Sequence, residues 1–500
     1  MAADTSASPI SASGLSPHGT VIVGGGFAGV LLALKLAQAG LEPRPTLIEM
    51  QPYAGPGLAY GAARPEHLLN VPVQRMEVGL SPSFLDWLAD FPDETAAAVA
   101  EAGDLANAFV PRILFGRYLR ERIEAAVAEG RVRRLRAEVT RIDKSAATDN
   151  RYELTFADGR VFAAERVVLA TGNLPPGGAH VAGEDSQSLV DSPLYIPDPW
   201  SGDGLAGLDP EAPVLLIGTG LTMADIVLSL QAHGHRGAIH VLSRRGLLPL
   251  AHVAGGAWPA FPGPEILGDR AAVTPLRLTR RIRAEVRAAV AQNVPWQRVV
   301  DAVRPVAAQI WSDWTRAQRA QFLRHLRPFW DVHRHRLAPR IAARLQALID
   351  SGRLIPLSGR LRRFAHRDGC LHIAYAVRRR REIRSLAVAR VINCTGPRTD
   401  YDRVGAPLFA DLRRQGLIHA DRLGLGLDTS DARVIDIHGQ ASGSLYAIGG
   451  LTRPAWWEVT AVPEIAAQVT RLAALLVQAA DAPPRRSSLA HEFFDLGAGI

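Results

Sequence analysis

Short apolar runs that stop at a glycine, followed by apolar positions at helical spacing, set the rhythm of this 500-residue chain. Val21-Ile22-Val23 leads into Gly24-Gly25-Gly26-Phe27-Ala28-Gly29 and then into a helical stretch from Val30 to Ala39. A second turn of the same kind is Gly218-Thr219-Gly220-Leu221-Thr222-Met223-Ala224. Uninterrupted runs of strand length suit strands covered on both faces, and strands alternating with helices give a parallel sheet. The predicted class is therefore α/β, with two Rossmann-like dinucleotide-binding domains. The two halves also close alike. A turn at Asp158-Gly159 precedes Val167-Val168-Leu169-Ala170-Thr171-Gly172, and a turn at Asp368-Gly369 precedes Val391-Ile392-Asn393-Cys394-Thr395-Gly396. Internal repetition of this kind is harder to obtain by chance than either loop alone.

The same signals divide the chain. Residues 1–19, rich in Ser, Ala and Pro, read as a disordered tail rather than a signal peptide, which makes the cytoplasm the default location. A first nucleotide-binding domain occupies 20–205 and returns at 398–480. The second is inserted into it, at 212–255 and 352–397, and the turn-rich segment from Pro197 to Gly204 forms the hinge. Residues 275–350, with helical periodicity and few glycines, are a helical insertion packed near the second domain. Glu464 to Ala479 is apolar on one face and has the length of a docking helix.

Each loop carries its own chemistry. Gly24 permits the tight turn, Gly26 lets the backbone approach a pyrophosphate, and Gly29 lets helix and strand pack closely, while Phe27 and Ala28 open the helix whose N–H groups face the anion. Thr46-Leu47-Ile48 ends in Glu49, a carboxylate placed for two ribose hydroxyls, so the first site reads as FAD or NAD. In the second loop Gly218, Gly220, Leu221, Thr222 and Ala224 fill the corresponding places. Its partner run, Ile239 to Leu242, ends in Ser243-Arg244-Arg245 with no acid. Two guanidinium groups suit a 2′-phosphate, so this site reads as NADP, the alternative being solvated surface charge.

Composition narrows the field. The net charge of +8 is carried almost wholly by Arg, the only lysines being Lys35 and Lys144, and is mild over this length. No run is long and uncharged enough for a membrane span. Cys370 and Cys394 are the only cysteines, without a C-x-x-C, which excludes a dithiol relay. Trp296, Trp311, Trp314 and Trp330 lie among arginines in the insertion, but at helical spacing they read as core, and no nucleic-acid motif accompanies them. His333 and His335 fall on different sides of a helix, which argues against a shared metal. Arg334 or Arg336 could clamp a substrate carboxylate or serve a structural ion pair.

With these motifs the sequence resembles the two-dinucleotide-binding-domain flavoproteins, in particular the bacterial FAD/NAD(P)-binding proteins related to flavin-containing monooxygenases and amine N-hydroxylases. The resemblance rests on Gly57-Leu58-Ala59-Tyr60, His67-Leu68-Leu69-Asn70-Val71-Pro72, the second loop through Arg245, Trp330 to Arg336, and Trp457 to Pro463. It implies FAD in the first domain and NADPH in the second. It also implies that Thr171 and Gly172, the turn ending at Gly449-Gly450, and the helix start at Pro463-Glu464-Ile465 approach the flavin, with Trp456, Trp457 and Glu458 on the substrate side. Asn70 corresponds to an asparagine that lies beside the flavin and helps hold a C4a-peroxyflavin. The stretch from Thr171 to Trp200 departs from the fingerprint of the best-known monooxygenases, as the amine N-hydroxylases also do. The expected activity is hydroxylation of a small nitrogen- or sulfur-bearing molecule, catalysed with Asn70. An NADPH dehydrogenase feeding a quinone or protein acceptor, and a flavin-bearing redox sensor, stay open, as does the oligomeric state.

Overall fold

The computed structural model describes residues 18–145, 151–179, 181, 189–202, 204–253, 258, 261 and 273–481. All but the last two residues of the expected tail lie outside them. Strand β1 (His18–Val23) runs into helix α1 (Phe27–Gln38) and on to β2 (Thr46–Glu49). β1 pairs in parallel with β2 and with β4 (Val161–Leu169), and β2 pairs in parallel with β3 (Arg133–Arg136). The strand Ala441–Ala447 adds to the far side of β4, so the returning segment completes a nine-stranded sheet. The unbroken apolar run of β1 is explained by its two faces. Ile22 joins one core with α1 and the helix Val462–Asp481, whereas Val21 and Val23 join the other. A second helix, α2 (Arg112–Ala128), seats Phe115, Tyr118 and Leu119 in the first of these cores.

The second unit repeats the plan. β5 (Val214–Ile217), α3 (Leu221–Ala232) and β6 (Ile239–Ser243) form its glycine-loop half, and Val214 and Leu216 face one core while Leu215 faces the other. α4 (Pro339–Asp350) then leads to β7 (Leu354–Arg367), β8 (Cys370–Val377), β9 (Ile383–Val388) and β10 (Arg390–Asn393). The seven-stranded sheet has the order β9-β8-β7-β6-β5-β10, closed by Tyr195–Ile196. β7 is parallel to β6 over its first five residues and antiparallel to β8 thereafter.

Two segments sit differently from the linear reading. Tyr195–Ile196, read with the first domain, pair with Val391–Ile392 of β10. α4, read with the helical insertion, buries Ile341, Leu345 and Leu348 against β5 and α3, so it is the crossover of the second sheet. Periodicity finds such elements without saying which sheet they cover. The remaining insertion helices, from Pro275 to Arg334, have a core of their own around Val299, Trp311, Trp314 and Phe322. That core is shared with Trp457 of the returning first-domain segment, since Trp311 stacks on Trp457 at 4.6 Å and donates to Pro454 O at 2.8 Å. The insertion therefore roofs the loop before the helix Val462–Asp481.

Candidate functional site

At the first loop, Gly24 has φ +109°, and a Cβ there would stand 2.4 Å from Ala170 O at the end of β4. A Cβ on Gly29 would stand 1.9 Å from Gly24 O. Both positions exclude any side chain. Gly26 caps α1 without a side-chain hydrogen bond, which leaves the amides of Phe27, Ala28 and Gly29 pointing out of the helix end with no intrahelical acceptor. Glu49 is held at the rim, accepting from Gly25 N at 2.6 Å and Gln51 N at 2.7 Å. Thr171, one residue past Ala170, has a buried Oγ1 with no protein partner. Gly449 (φ +74°) sits against Ala28, 3.6 Å from a would-be Cβ, and donates to Gln468 Oε1 at 2.9 Å. Gly24, Gly26, Phe27, Ala28, Gly29, Glu49, Thr171, Gly172 and Gly449 thus converge at the C-terminal edge of the first sheet. A dinucleotide fits here on three counts: a cradle that Cβ atoms would fill, free helix amides, and an orphaned hydroxyl.

The second loop matches the first in backbone. Gly218 has φ +105°, and its would-be Cβ lies 2.3 Å from Cys394 O. Gly220 caps α3 as Gly26 caps α1. Counted from these caps, Met223 stands where Gly29 stands, and Ala224 is one residue further. The buried Met223 side chain is accommodated by a looser start, Ala224 N to Gly220 O being 3.3 Å against 2.9 Å for Val30 N to Gly26 O. Ser243 shapes the next turn, its Oγ accepting from Gly246 N at 2.9 Å and lying 2.9 Å from Thr219 Oγ1. Arg244 is exposed, and Arg245 donates to Arg324 O at 2.9 Å beneath the Phe329 ring.

A clamp between the two units, built from His67, Arg112, Asp225 and Ser229, was missed at sequence level. His67 is buried. Its Nδ1 accepts from Arg64 N at 3.1 Å, which makes Nε2 the donor toward Ser229 Oγ (2.9 Å) and Asp225 O (3.1 Å) of α3. Burial keeps this imidazole below its ordinary pKa, consistent with the neutral tautomer. Arg112, the first residue of α2, reaches both Asp225 oxygens at 2.8 and 2.9 Å. Burial raises the Asp225 carboxyl, while Arg112 and His67 oppose that rise.

Around the loop expected to face the flavin the outcome is mixed. Asn70 is half-buried, and its amide has no hydrogen-bond partner among the described residues. Glu464 is not free: its carboxylate receives Arg304 at 2.6 and 2.9 Å and Arg334 at 3.4 Å. Burial raises Glu464, but the Arg304 hydrogen bonds and charge carry it below the usual carboxylate range. Ile465, grouped with it in the sequence reading, spends its amide on Ala461 O at 3.0 Å. What this helix start offers a ligand is the backbone N–H of Val462, since Pro463 has none and the Glu464 amide serves its own carboxylate. Arg334 pairs with Glu458 at 2.9 Å, and Trp330 Nε1 donates to the same carboxylate at 2.8 Å. Arg336 meets Asp301, leaving Nε and Nη1 buried without partners. Arg453, which stacks on Trp457 at 4.2 Å, has a buried Nε with no partner and is pushed down to about 10, first by burial and then by Arg327.

Comparison with known proteins agrees with this fold. Residues 21–174 match the FAD-NAD(P)-binding family model. An uncharacterised protein of Mycobacterium tuberculosis (strain H37Rv) is 25% identical over 441 residues, covering 78% of this chain and 79% of its own length. Among solved structures, the ornithine N-hydroxylase of Kutzneria sp. 744, in complex with reduced FAD, NADP+ and L-ornithine, superposes with a TM-score of 0.64 at 16% identity, over 93% of this chain and 100% of its own. The FAD-bound cadaverine monooxygenase of Erwinia amylovora gives 0.62 at 13% identity, over 95% and 98%. The bacillithiol disulfide reductase of Staphylococcus aureus gives 0.54 at 12% identity, over 93% and 99%. The fold is thus α/β with two Rossmann-type nucleotide-binding domains. Among the described residues no helix is long and apolar enough to cross a membrane.

Proposed function

We propose that this chain holds FAD in its first domain and NADPH in its second, and hydroxylates a small nitrogen- or sulfur-bearing molecule that carries an anionic group. The observation that carries the reading is the pair of glycine cradles on separate sheets, joined by the buried His67–Asp225–Arg112 clamp and roofed by the helical insertion. FAD bound there would take hydride from NADPH and deliver electrons to oxygen. Gly24, Gly26 and the amides of Phe27 and Ala28 hold its pyrophosphate, Glu49 its ribose, and Thr171 Oγ1 supplies a hydroxyl without another partner. Asn70 offers a donor and an acceptor on one side chain, both free. Val462 and the helix behind it offer a positive end that would stabilise negative charge on a reduced flavin bound beside it.

The structural likeness includes both monooxygenases and a disulfide reductase, and the thiols favour the former. Cys370 and Cys394 both lie in the second domain, and burial raises the Cys394 thiol, keeping it neutral. On the substrate side, the unmet donors of Arg336 and Arg453 favour a ligand with a carboxylate. The test is NADPH-dependent oxygen uptake by the FAD-loaded protein, screened against amines, amino acids and thioethers. Stimulation together with a hydroxylated product, most strongly for substrates bearing a carboxylate, is expected. Oxygen uptake that no member stimulates, with rapid reduction of quinones, would replace this reading with a dehydrogenase.

A further inference from the structure

We infer that the β8–β9 hairpin supplies the second half of the 2′-phosphate site, with Arg378, Arg379 and Ser358 closing on the nucleotide from the side opposite Arg244. The inference rests on the NADPH reading above and extends it to residues far away in sequence. Three observations carry it. The first is register. β6 and β7 pair with Ser243 beside Ser358, and Arg378 N donates to Ser358 O at 2.9 Å, so Ser243, Ser358 and Arg378 stand in a row along the C-terminal edge of the sheet. The Arg244–Gly246 turn folds onto the same row, since a Cβ on Gly246 (φ +64°) would lie 3.0 Å from Ser358 Cβ.

The second observation is an orphaned group: Ser358 Oγ is buried with no hydrogen-bond partner. A hydroxyl sealed from water costs free energy until something bonds it. The third is charge. From Leu354 to Asn393 the chain carries two acids, Asp368 and Glu382. Asp368 lies in the turn at the other end of the β7–β8 pair, and Glu382 is taken by Arg384 at 2.7 Å and Arg380 at 3.8 Å. Arg244, Arg378 and Arg379 have no carboxylate partner among the described residues. Their charges also bear on Arg245, which is lowered first by burial and then by Arg378, Arg244 and Arg379 in turn. Arg379 adopts φ +59°, a conformation a non-glycine residue rarely takes, in the turn between β8 and β9. Three guanidinium groups without a carboxylate, all acting on Arg245 beside a row that holds an unbonded hydroxyl, are matched by a group carrying close to two negative charges on several acceptor oxygens. An unphosphorylated ribose would leave them unmatched.

Calorimetric titration of the FAD-loaded protein with 2′,5′-ADP and with 5′-AMP tests this without any turnover. The native protein should bind 2′,5′-ADP the more tightly. Arg378→Ala and Arg379→Ala should each weaken 2′,5′-ADP by about tenfold or more, leaving 5′-AMP within about threefold. Ser358→Ala should act in the same direction by a smaller factor. Flavin content and melting temperature serve as the folding control, Arg379 being exposed and Arg378 half-buried at the hairpin. If the native protein prefers 2′,5′-ADP, Arg244→Ala abolishes that preference and the hairpin variants bind like the native chain, the hairpin assignment is wrong and the NADPH reading stands. If the native protein binds the two probes equally, or neither, both fall together.

Discussion

Removing Arg112 is the perturbation whose size follows most directly from the geometry. Its guanidinium makes two hydrogen bonds, of 2.8 and 2.9 Å, to a carboxylate that is only 7% exposed and carries the connection between the two domains. Truncating one partner of a buried pair leaves the other charge unpaired, at a cost of about 3 kcal/mol or more. Burial already pushes the Asp225 carboxyl upward, and Arg112 is the strongest influence against it. In Arg112→Met the carboxyl should therefore take up a proton in the folded state while remaining ionised above about pH 3.9 when unfolded. A folded state that binds more protons loses stability as pH rises. The deficit should thus grow with pH, by up to about 1.4 kcal/mol per unit, until the folded carboxyl ionises. Urea unfolding of the FAD-loaded protein at two pH values on either side of neutrality measures this. The double variant Arg112→Met with Asp225→Asn should recover most of the loss and remove its pH dependence. NADPH should reduce the flavin more slowly in the single variant, because the second domain is no longer held in one orientation. A deficit under about 1 kcal/mol, or one that does not change with pH, would refute the clamp.

Gly29→Ala should lose FAD while the chain still folds, because the added Cβ meets the Gly24 carbonyl and the Ala170 side chain at a backbone that cannot yield; flavin absorbance per chain checks it. Asn70→Ala should keep its FAD and its rate of reduction by NADPH, yet release more hydrogen peroxide per NADPH oxidised, which a peroxidase-coupled assay reads. His335 and His252 are pushed down to about 3 and about 4, first by burial and then by Arg334 and Arg336 respectively. The unfolded chain binds their protons first, so stability should be level above about pH 6.5 and fall as pH drops toward 4; replacing His335 with Gln should flatten part of that fall in a melting series.

Local rules made the two loops legible. A strand-length apolar run, a glycine turn and a helix share one stretch of chain, and Glu49 follows at a spacing fixed by the next strand. Met223 shows the limit of motif matching, since by count from Gly220 it, and not Ala224, stands in the place of Gly29, as the helix caps bear out. Contacts formed across sheets left no such trace. Arg112 and Asp225 lie 113 residues apart and meet only where the first residue of α2 comes up against α3 in the folded chain. Ser358 and Arg378 reach the Arg244 turn only through the pairing of β6, β7 and β8, and a linear reading sees three separate polar positions. Glu464 was placed correctly at a helix start, but its commitment to Arg304 depends on an insertion whose packing periodicity does not specify.

The central claim is that one chain passes electrons from NADPH through FAD to oxygen and holds the oxygen at the flavin for chemistry. Anaerobic reduction of the purified yellow protein by NADPH, followed by stopped-flow mixing with oxygenated buffer, tests it most directly. Rapid reduction, then reoxidation through a transient spectrum that is neither oxidised nor reduced FAD and that decays more slowly with NADP+ present, is the predicted result. Reoxidation in a single phase to oxidised FAD, slower with oxygen than with a quinone, would contradict it.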